Sequence, residues 1–430
     1  MPAKPIKLAV VANAPSPYRL HQHARIAREL GDEVELWSLF LYEHNLQPWT
    51  HPLPEAIRPV VFGHGQSVAE KRTFFGRLRQ WRKMKEVMRW LEEHRVDAVI
   101  TTGYNDWGLM RLIAWCRRRG TPNYMFSDSN VRCDIARGLR RLRKRLYVSW
   151  VVRNLSGLLP CGSYGRQFYE QYGGRGKACF YMPHEPDYAS IFSVTAEDRA
   201  QAQAKFSLRD DRRYFLYSGR LASVKRVDTL IDAFARIARE RPGWDLLIVG
   251  GGELDAELHA RVPAELAHRV AWTGFIGSVD ELAALYTCGD VFILPSSIEP
   301  WAVVVCEAAA AGLPIVASNV VGAAGELCRE GVNGRLFPPG DVGALAEVLL
   351  DVSADERRLA AMRTASLAVL DDWRRRGDPV QGVRQALHHA GLLPAPAAEV
   401  EPMPPTPHSP PARDDLMHNE SKTRVAAPTR

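Results

Sequence analysis

The chain has 430 residues, 46% hydrophobic and 24% charged, a composition that suits a soluble globular protein of two domains and excludes a fibrous or largely disordered one. No secretory leader or membrane-spanning helix is predicted. Residues 7–12 (KLAVVA) form one short strand followed by Pro15 and Pro17, and the longest uncharged stretch, 308–325, is interrupted by Gly312, Pro314, Ser318 and Asn319. The net charge of +7 is unevenly spread: residues 1–183 carry 30 Lys and Arg against 15 Asp and Glu, and residues 184–430 carry 26 against 34. A first half at +15 beside a second at −8 is expected to meet an anionic partner through the first.

In chain order, the first half opens with strand 7–12, the loop Asn13-Ala14-Pro15-Ser16-Pro17-Tyr18-Arg19, a helix to about Leu30 and strand 33–40. Helix 77–94, strand 97–101, helix 106–119, strand 123–127, helix 135–153 and strand 156–160 follow. Strands alternating with helices predict a parallel, doubly wound sheet. Residues 183–192 hold two prolines without periodicity and read as a connection. A second series then runs through strand 214–218, helix 226–240, strand 245–249, helix 254–262, strand 269–273, helix 279–288, and strands 291–294 and 314–317. Helices at 341–351, 353–372 and 379–390 complete it. The expected organisation is an α/β chain of two Rossmann-like domains with a cleft between them, 1–183 and 184–365, then helices over 366–392 that cross back to the first domain. Residues 393–430 form a Pro-rich tail expected to be disordered.

Two helices concentrate the positive charge. In 135–151, Ile135, Leu139, Leu142, Leu146 and Trp150 recur every three or four residues, and Arg137, Arg140, Arg141, Arg143, Lys144 and Arg145 cover the rest. In 74–91, Phe74, Leu78, Trp81, Met84, Met88 and Leu91 form a similar stripe. Both stripes are expected to face the core. The single sign of the surrounding charge is not explained by packing, and it suits anionic lipid or a pyrophosphate-linked acceptor. Nucleic acid is excluded as a partner, since no aromatic–basic interleaving of a known module is present. The seven cysteines (116, 133, 161, 179, 288, 306 and 328) are odd in number, widely spaced and without a C-x-x-C pair, which predicts buried thiols in a reducing cytosol.

The most informative stretch is 295–326, PSSIEPWAVVVCEAAAAGLPIVASNVVGAAGE. A strand feeds a small-residue helix that must stop at Gly312-Leu313-Pro314, so Glu299 and Glu307 flank a helix N-terminus at the carboxyl end of a strand. Gly219-Arg220-Leu221 with Lys225 follows another strand end and places two cations there; a helix start disfavours cations unless an anion binds. Gly250-Gly251-Gly252-Glu253 lacks the G-x-G-x-x-G spacing of a dinucleotide fingerprint.

The Glu pair with its flanking P-S-S and E-A-x-A-x-G-x-P-I-V-A-S, together with G-R-L and Lys225, resembles the retaining glycosyltransferases of family 4, which adopt the two-domain GT-B fold. The resemblance is specific over about 213–351 and looser over 1–183. It implies transfer of a hexose or N-acetylhexosamine from a nucleoside-diphosphate sugar to a lipid-linked or polysaccharide acceptor, without a cofactor; no Asp-x-Asp motif is present, so no metal is expected. Arg220 and Lys225 would grip the diphosphate after Gly219, and Glu299 the sugar hydroxyls. Glu307 would hold the ribose, the N–H groups near Val303 and Val304 would face the phosphate, and Thr273-Gly274-Phe275-Ile276 the base. Asp128, at the end of strand 123–127, stands where relatives carry a His or acidic residue near the reacting sugar, and Arg19 is a candidate acceptor or phosphate contact. Two departures stand out: Ala302 replaces the glycine frequent in relatives, and P-S-P-Y-R replaces a Gly-Gly pair. His21, His23 and His184 are assigned to packing or surface. The expected location is cytoplasmic, with Arg140, Arg141, Arg143, Lys144 and Arg145 facing an anionic membrane or the acceptor. A nucleotide-sugar epimerase of the same fold and a non-catalytic nucleotide-sugar-binding protein are the alternatives.

Overall fold

The computed structural model describes residues 4–45, 52–104 and 106–394. Apart from Leu393 and Pro394, the Pro-rich tail lies outside the described residues. The first domain is built on a parallel sheet of β1 (Ile6–Ala12), β2 (Val34–Phe40), β3 (Pro59–Val61), β4 (Ala98–Thr102), β5 (Asn123–Ser127) and β6 (Gly157–Pro160), ordered β3-β2-β1-β4-β5-β6. Helices cover both faces, so β1 reads as an unbroken apolar run rather than an alternation, with Leu8, Ala9, Val10 and Val11 fully buried.

The second sheet repeats the plan with β7 (Arg213–Ser218), β8 (Trp244–Val249), β9 (Val270–Gly274), β10 (Val291–Leu294), β11 (Ile315–Ser318) and β12 (Gly334–Phe337), ordered β12-β11-β10-β7-β8-β9. In such a sheet the order reverses at one place, and the crevice outside the strand ends there collects ligands. Here the reversal falls between β7 and β10, which pair in parallel. The turns leaving those two strands carry Gly219–Lys225 and Glu299.

Two edge strands, β3 and β12, escape the sequence reading because they are only three and four residues long and lie next to loops. The helix expected over 353–372 runs as Glu356–Arg376, past the expected boundary at 365, because no Gly or Pro interrupts it before Gly377. The last helix, Pro379–His389, packs against Pro17–Glu29 of the first domain. Arg25 on Pro17–Glu29 pairs with Asp378 and, at 2.7 Å, with Glu185 of the interdomain connection.

The helix Phe74–Glu93 turns Met84, Met88 and Leu91 of its stripe inward, whereas Trp81 is exposed. The helix Gly138–Asn154 does the reverse. Its buried side chains are Val148, Val151 and Val152, while Ile135 just before it and Leu139, Leu142 and Leu146 along it are exposed. The expectation of a core-facing stripe is corrected: a valine face towards the C-terminal half of the helix supplies the packing.

Candidate active site

The backbone of the site is set by close approach of turns. Gly250 has φ 133°, and a Cβ there would lie 2.0 Å from the Gly219 carbonyl oxygen; one on Gly252 would lie 2.4 Å from that of Leu221. The glycine triplet therefore lets the turn after β8 nest against the turn after β7. Gly274 continues the layer, its carbonyl accepting from the Gly250 N–H at 3.0 Å.

On the turn after β7, Lys225 Nζ forms an ion pair with Glu299, whose carboxylate also accepts from Ser296 Oγ at 3.2 Å. Glu299 is buried, so the charge is stable only because the ammonium and the hydroxyl meet it. The helix Val303–Ala310 begins four residues later, behind its N-cap Ala302, which is held at φ 81°, ψ 84°. Only a residue without a side chain takes that left-handed conformation freely, which accounts for glycine at this position in the resembling family. Glu307 lies one turn in, buried, and accepts from Tyr286 Oη at 2.7 Å and from Tyr18 Oη at 3.3 Å. Burial pushes its carboxyl above the usual range, and the two tyrosine hydroxyls act against the shift.

Two adjoining cavities share Tyr18 as a wall. A cavity of about 220 Å³ is lined by Asp128, His184, Lys225, Glu299 and the helix start at Ala302–Val304. A cavity of about 480 Å³ runs from Glu307 and Tyr286 past Ile276–Asp280 to Pro17, His21 and Pro54. Together they join a polar pocket, with one ammonium, two carboxylates and a helix N-terminus, to a roomier and largely apolar one.

The first domain supplies the opposite wall. Asp128 stands open to the cleft and caps no helix; Asn130, not Asp128, caps the following turn, accepting from the Arg132 N–H at 2.7 Å. Loss of solvent between the domains raises the Asp128 carboxyl; Glu299 adds to the shift and Arg19 opposes it. Arg19 turns inward to the Ala14 carbonyl and lines neither cavity. Burial lowers its guanidinium to about 10. Arg220 is half-exposed at the rim, 4.0 Å from Glu253. Gly219 and Gly274 shape turns, and Phe275 is exposed beside Ile276. Lys144 leaves the basic surface to pair with Asp134 at 2.8 Å, whereas Arg140, Arg141, Arg143 and Arg145 are exposed.

His184 is the main residue missed. It lines the smaller cavity, its Nδ1 is buried without a hydrogen-bond partner, and its ring meets Phe126 edge-on at 4.7 Å. Burial, then Arg19, holds it near a pKa of about 3, so it is neutral at pH 7. His23 is neutral for the same reasons but bonds Ser38 Oγ at 2.8 Å in the interior. His21 lines the larger cavity. Only Tyr18 and His184 of the missed residues carried any signal, as polar side chains beside prolines in loops without periodicity.

A first domain and a second domain of this topology, with the cleft at the reversal of strand order, make the GT-B fold. The chain matches the family Glycosyl transferases group 1 over residues 198–367. It is 36% identical over 226 residues to the glycogen synthase of Mycobacterium tuberculosis, covering 50% of each chain. Over 220 residues it is 32% identical to the GDP-mannose-dependent alpha-(1-6)-phosphatidylinositol monomannoside mannosyltransferase of Mycolicibacterium smegmatis, covering 49% of this chain and 56% of that one. The chain spans about half the length of the curated relatives it matches. Among solved structures, Anabaena Alr3699/HepE in complex with UDP and glucose superposes with a TM-score of 0.69 at 19% identity, over 90% of this chain and 100% of that one. WaaG, a glycosyltransferase involved in lipopolysaccharide biosynthesis, does so with a TM-score of 0.64 at 18% identity, over 89% of this chain and 100% of that one.

Proposed function

We propose that the protein is a retaining glycosyltransferase that moves a hexose or N-acetylhexosamine from a nucleoside-diphosphate sugar to a lipid-linked or polysaccharide acceptor. The observation that carries this reading is the pair of adjoining cavities, with Lys225, Glu299 and a helix N-terminus around one and Glu307 buried in the wall of the other. The diphosphate fits the N–H groups at Val303 and Val304, with Lys225 beside it and Arg220 at the rim. Glu299 then receives the sugar hydroxyls, Glu307 the ribose hydroxyls, and the cavity along Ile276–Asp280 the base.

In this reading the bond from the sugar C1 to the donor phosphate breaks, and a bond from C1 to the acceptor oxygen forms on the same face. The acceptor proton passes to the departing phosphate, so no enzyme nucleophile is needed. Fixed positive charge at Lys225, Arg220 and the helix start stabilises the leaving diphosphate, the part a metal ion would otherwise play. Asp128 and His184 face the same pocket from the first domain and orient the sugar and the incoming hydroxyl. The site is placed on the cytoplasmic side, where nucleotide sugars are made, at an anionic membrane surface that presents the acceptor. The matched mannosyltransferase, named for a phosphatidylinositol mannoside substrate, supports a lipid-linked acceptor.

The test is a melting-temperature screen of uridine, guanosine and adenosine diphosphate sugars, followed by release of nucleoside diphosphate from the best binder. A shift from one class, abolished in Lys225→Ala, is expected. No shift from any class refutes the reading.

A further inference from the structure

We propose that the outer face of the helix Gly138–Asn154, with Ile135 and Trp107 at its edge, is a docking face that seats aliphatic side chains in the headgroup region of an anionic bilayer. The helix turns at about 100° per residue, so Leu139, Leu142 and Leu146 share one side while Val148, Val151 and Val152 face the other way. The valines are buried; Leu139 is 75% exposed, Leu142 53% and Leu146 64%, and Ile135 adds another 75%-exposed side chain. Hydration of four large aliphatic side chains in one row is unfavourable, and a row of this kind marks a contact surface.

The charge around the row selects the partner. Arg143 sits within it and Arg140 and Arg145 flank it, all exposed. No Asp or Glu occurs between Asp134 and Glu170, and Asp134 is already occupied by Lys144. A two-fold contact with a second copy would set these arginines against each other. An anionic bilayer fits both features, with guanidinium groups on lipid phosphates and leucines at the acyl boundary. The neighbouring helix Trp107–Arg119 adds Trp107, 49% exposed, at the end held to this helix by the bond from Tyr147 Oη to the Tyr104 carbonyl. Tryptophan suits the membrane interface. The face starts at the cleft rim, since Asn130, eight residues before the helix, donates to the Val320 carbonyl at 2.9 Å. Docking stands on these observations alone; its use in presenting a lipid-linked acceptor rests on the proposed function.

The test is sedimentation of the full chain with vesicles of phosphatidylcholine alone and of phosphatidylcholine with phosphatidylglycerol. Wild type is expected to prefer the anionic vesicles by about tenfold or more at low salt, and to lose most of that preference at high salt. Leu142→Glu with Leu146→Glu should weaken binding at least as much as Arg140→Glu with Arg143→Glu, and each cation removed should cost about fivefold. Should the first pair lower the melting temperature, Ile135→Gln with Leu139→Gln, outside the packed half of the helix, takes its place. Nucleoside diphosphate affinity should stay unchanged in every variant, which separates failure of docking from failure of the donor site. The proposal is overturned if wild type ignores anionic vesicles at low salt, or if the leucine variants bind as wild type does. It is equally overturned if light scattering shows a dimer that Leu142→Glu splits, since the face would then belong to a second copy.

Discussion

Replacing Glu307 with Ala is the most direct probe of the donor site. The carboxylate is buried between Tyr286 Oη at 2.7 Å and Tyr18 Oη at 3.3 Å. A ribose diol arriving there keeps the shorter bond and displaces the longer one, which comes from the other domain. Hydrogen bonds to a charged group are worth about 1.5–3 kcal/mol, and the displaced neutral bond offsets about 0.5–1.5 kcal/mol of that. Loss of Glu307 should therefore weaken a nucleoside diphosphate by about 1.5 kcal/mol, close to tenfold. Titration calorimetry with the cognate diphosphate measures it directly, with Glu307→Gln as the isosteric control for the tyrosine contacts. Because burial raises this carboxyl and the diol donates to its ionised form, affinity should climb as pH rises through the shifted pKa. The same shift favours the protonated folded state, so Glu307 contributes stability at low pH that is lost as pH rises through its folded pKa. A folded Glu307→Ala variant with unchanged affinity and an unchanged pH slope would refute the ribose assignment.

Arg220→Ala and Lys225→Ala should each lower turnover more than donor affinity, because charge on the diphosphate grows as it leaves; near-normal kcat in both removes that role. Ala302→Gly relieves a left-handed alanine, and after the entropy glycine adds to the unfolded chain the gain should be about 0.5–1 kcal/mol in urea unfolding; a loss would show the strain is absent. His184→Asn should reduce kcat without moving the pH–rate profile above pH 5, since the imidazole stays neutral down to about 3. Its depressed pKa also means that stability is lost as pH falls from the ordinary histidine range towards 3, so the variant should be less acid-sensitive in melting experiments, and an unchanged acid slope would place His184 in solvent.

The layout was legible wherever a local rule decides. Apolar runs on both faces of a parallel sheet announce β1, β5, β7 and β8, and Gly312-Leu313-Pro314 ends the helix that carries Glu307. Of the edge strands, β6 and β9 were legible and β3 and β12 were not, since β3 has only three residues and β12 opens on Gly334-Arg335 without an apolar run. Nor could the sequence say which side of the helix Gly138–Asn154 faces the core. Two apolar sets, leucine and valine, occupy opposite sides, and only the packed neighbours choose between them. Lys144 was misplaced for the same reason: its neighbours in sequence are surface arginines, but Asp134, ten residues earlier, draws it in. His184 was passed over because what marks it is a missing partner, and a missing partner is visible only when the surrounding atoms are in place.

The site is also built so that each domain registers the state of the other. Glu299 belongs to the second domain, yet its N–H donates to Cys133 Sγ at 3.3 Å and Asn130 Nδ2 donates to its carbonyl at 3.3 Å. Tyr18 reaches Glu307, and Trp301 Nε1 donates to the His184 carbonyl at 2.7 Å. Both carboxylate-bearing segments are therefore held from across the cleft before any ligand is bound. Under the proposed function, a donor bound at Glu307 displaces Tyr18, which sits on the helix Pro17–Glu29. That helix is tied through Arg25 to Glu185 of the connection and to Asp378 before the last helix. The residue that gives way to the donor thus lies on the element through which the two domains are clamped.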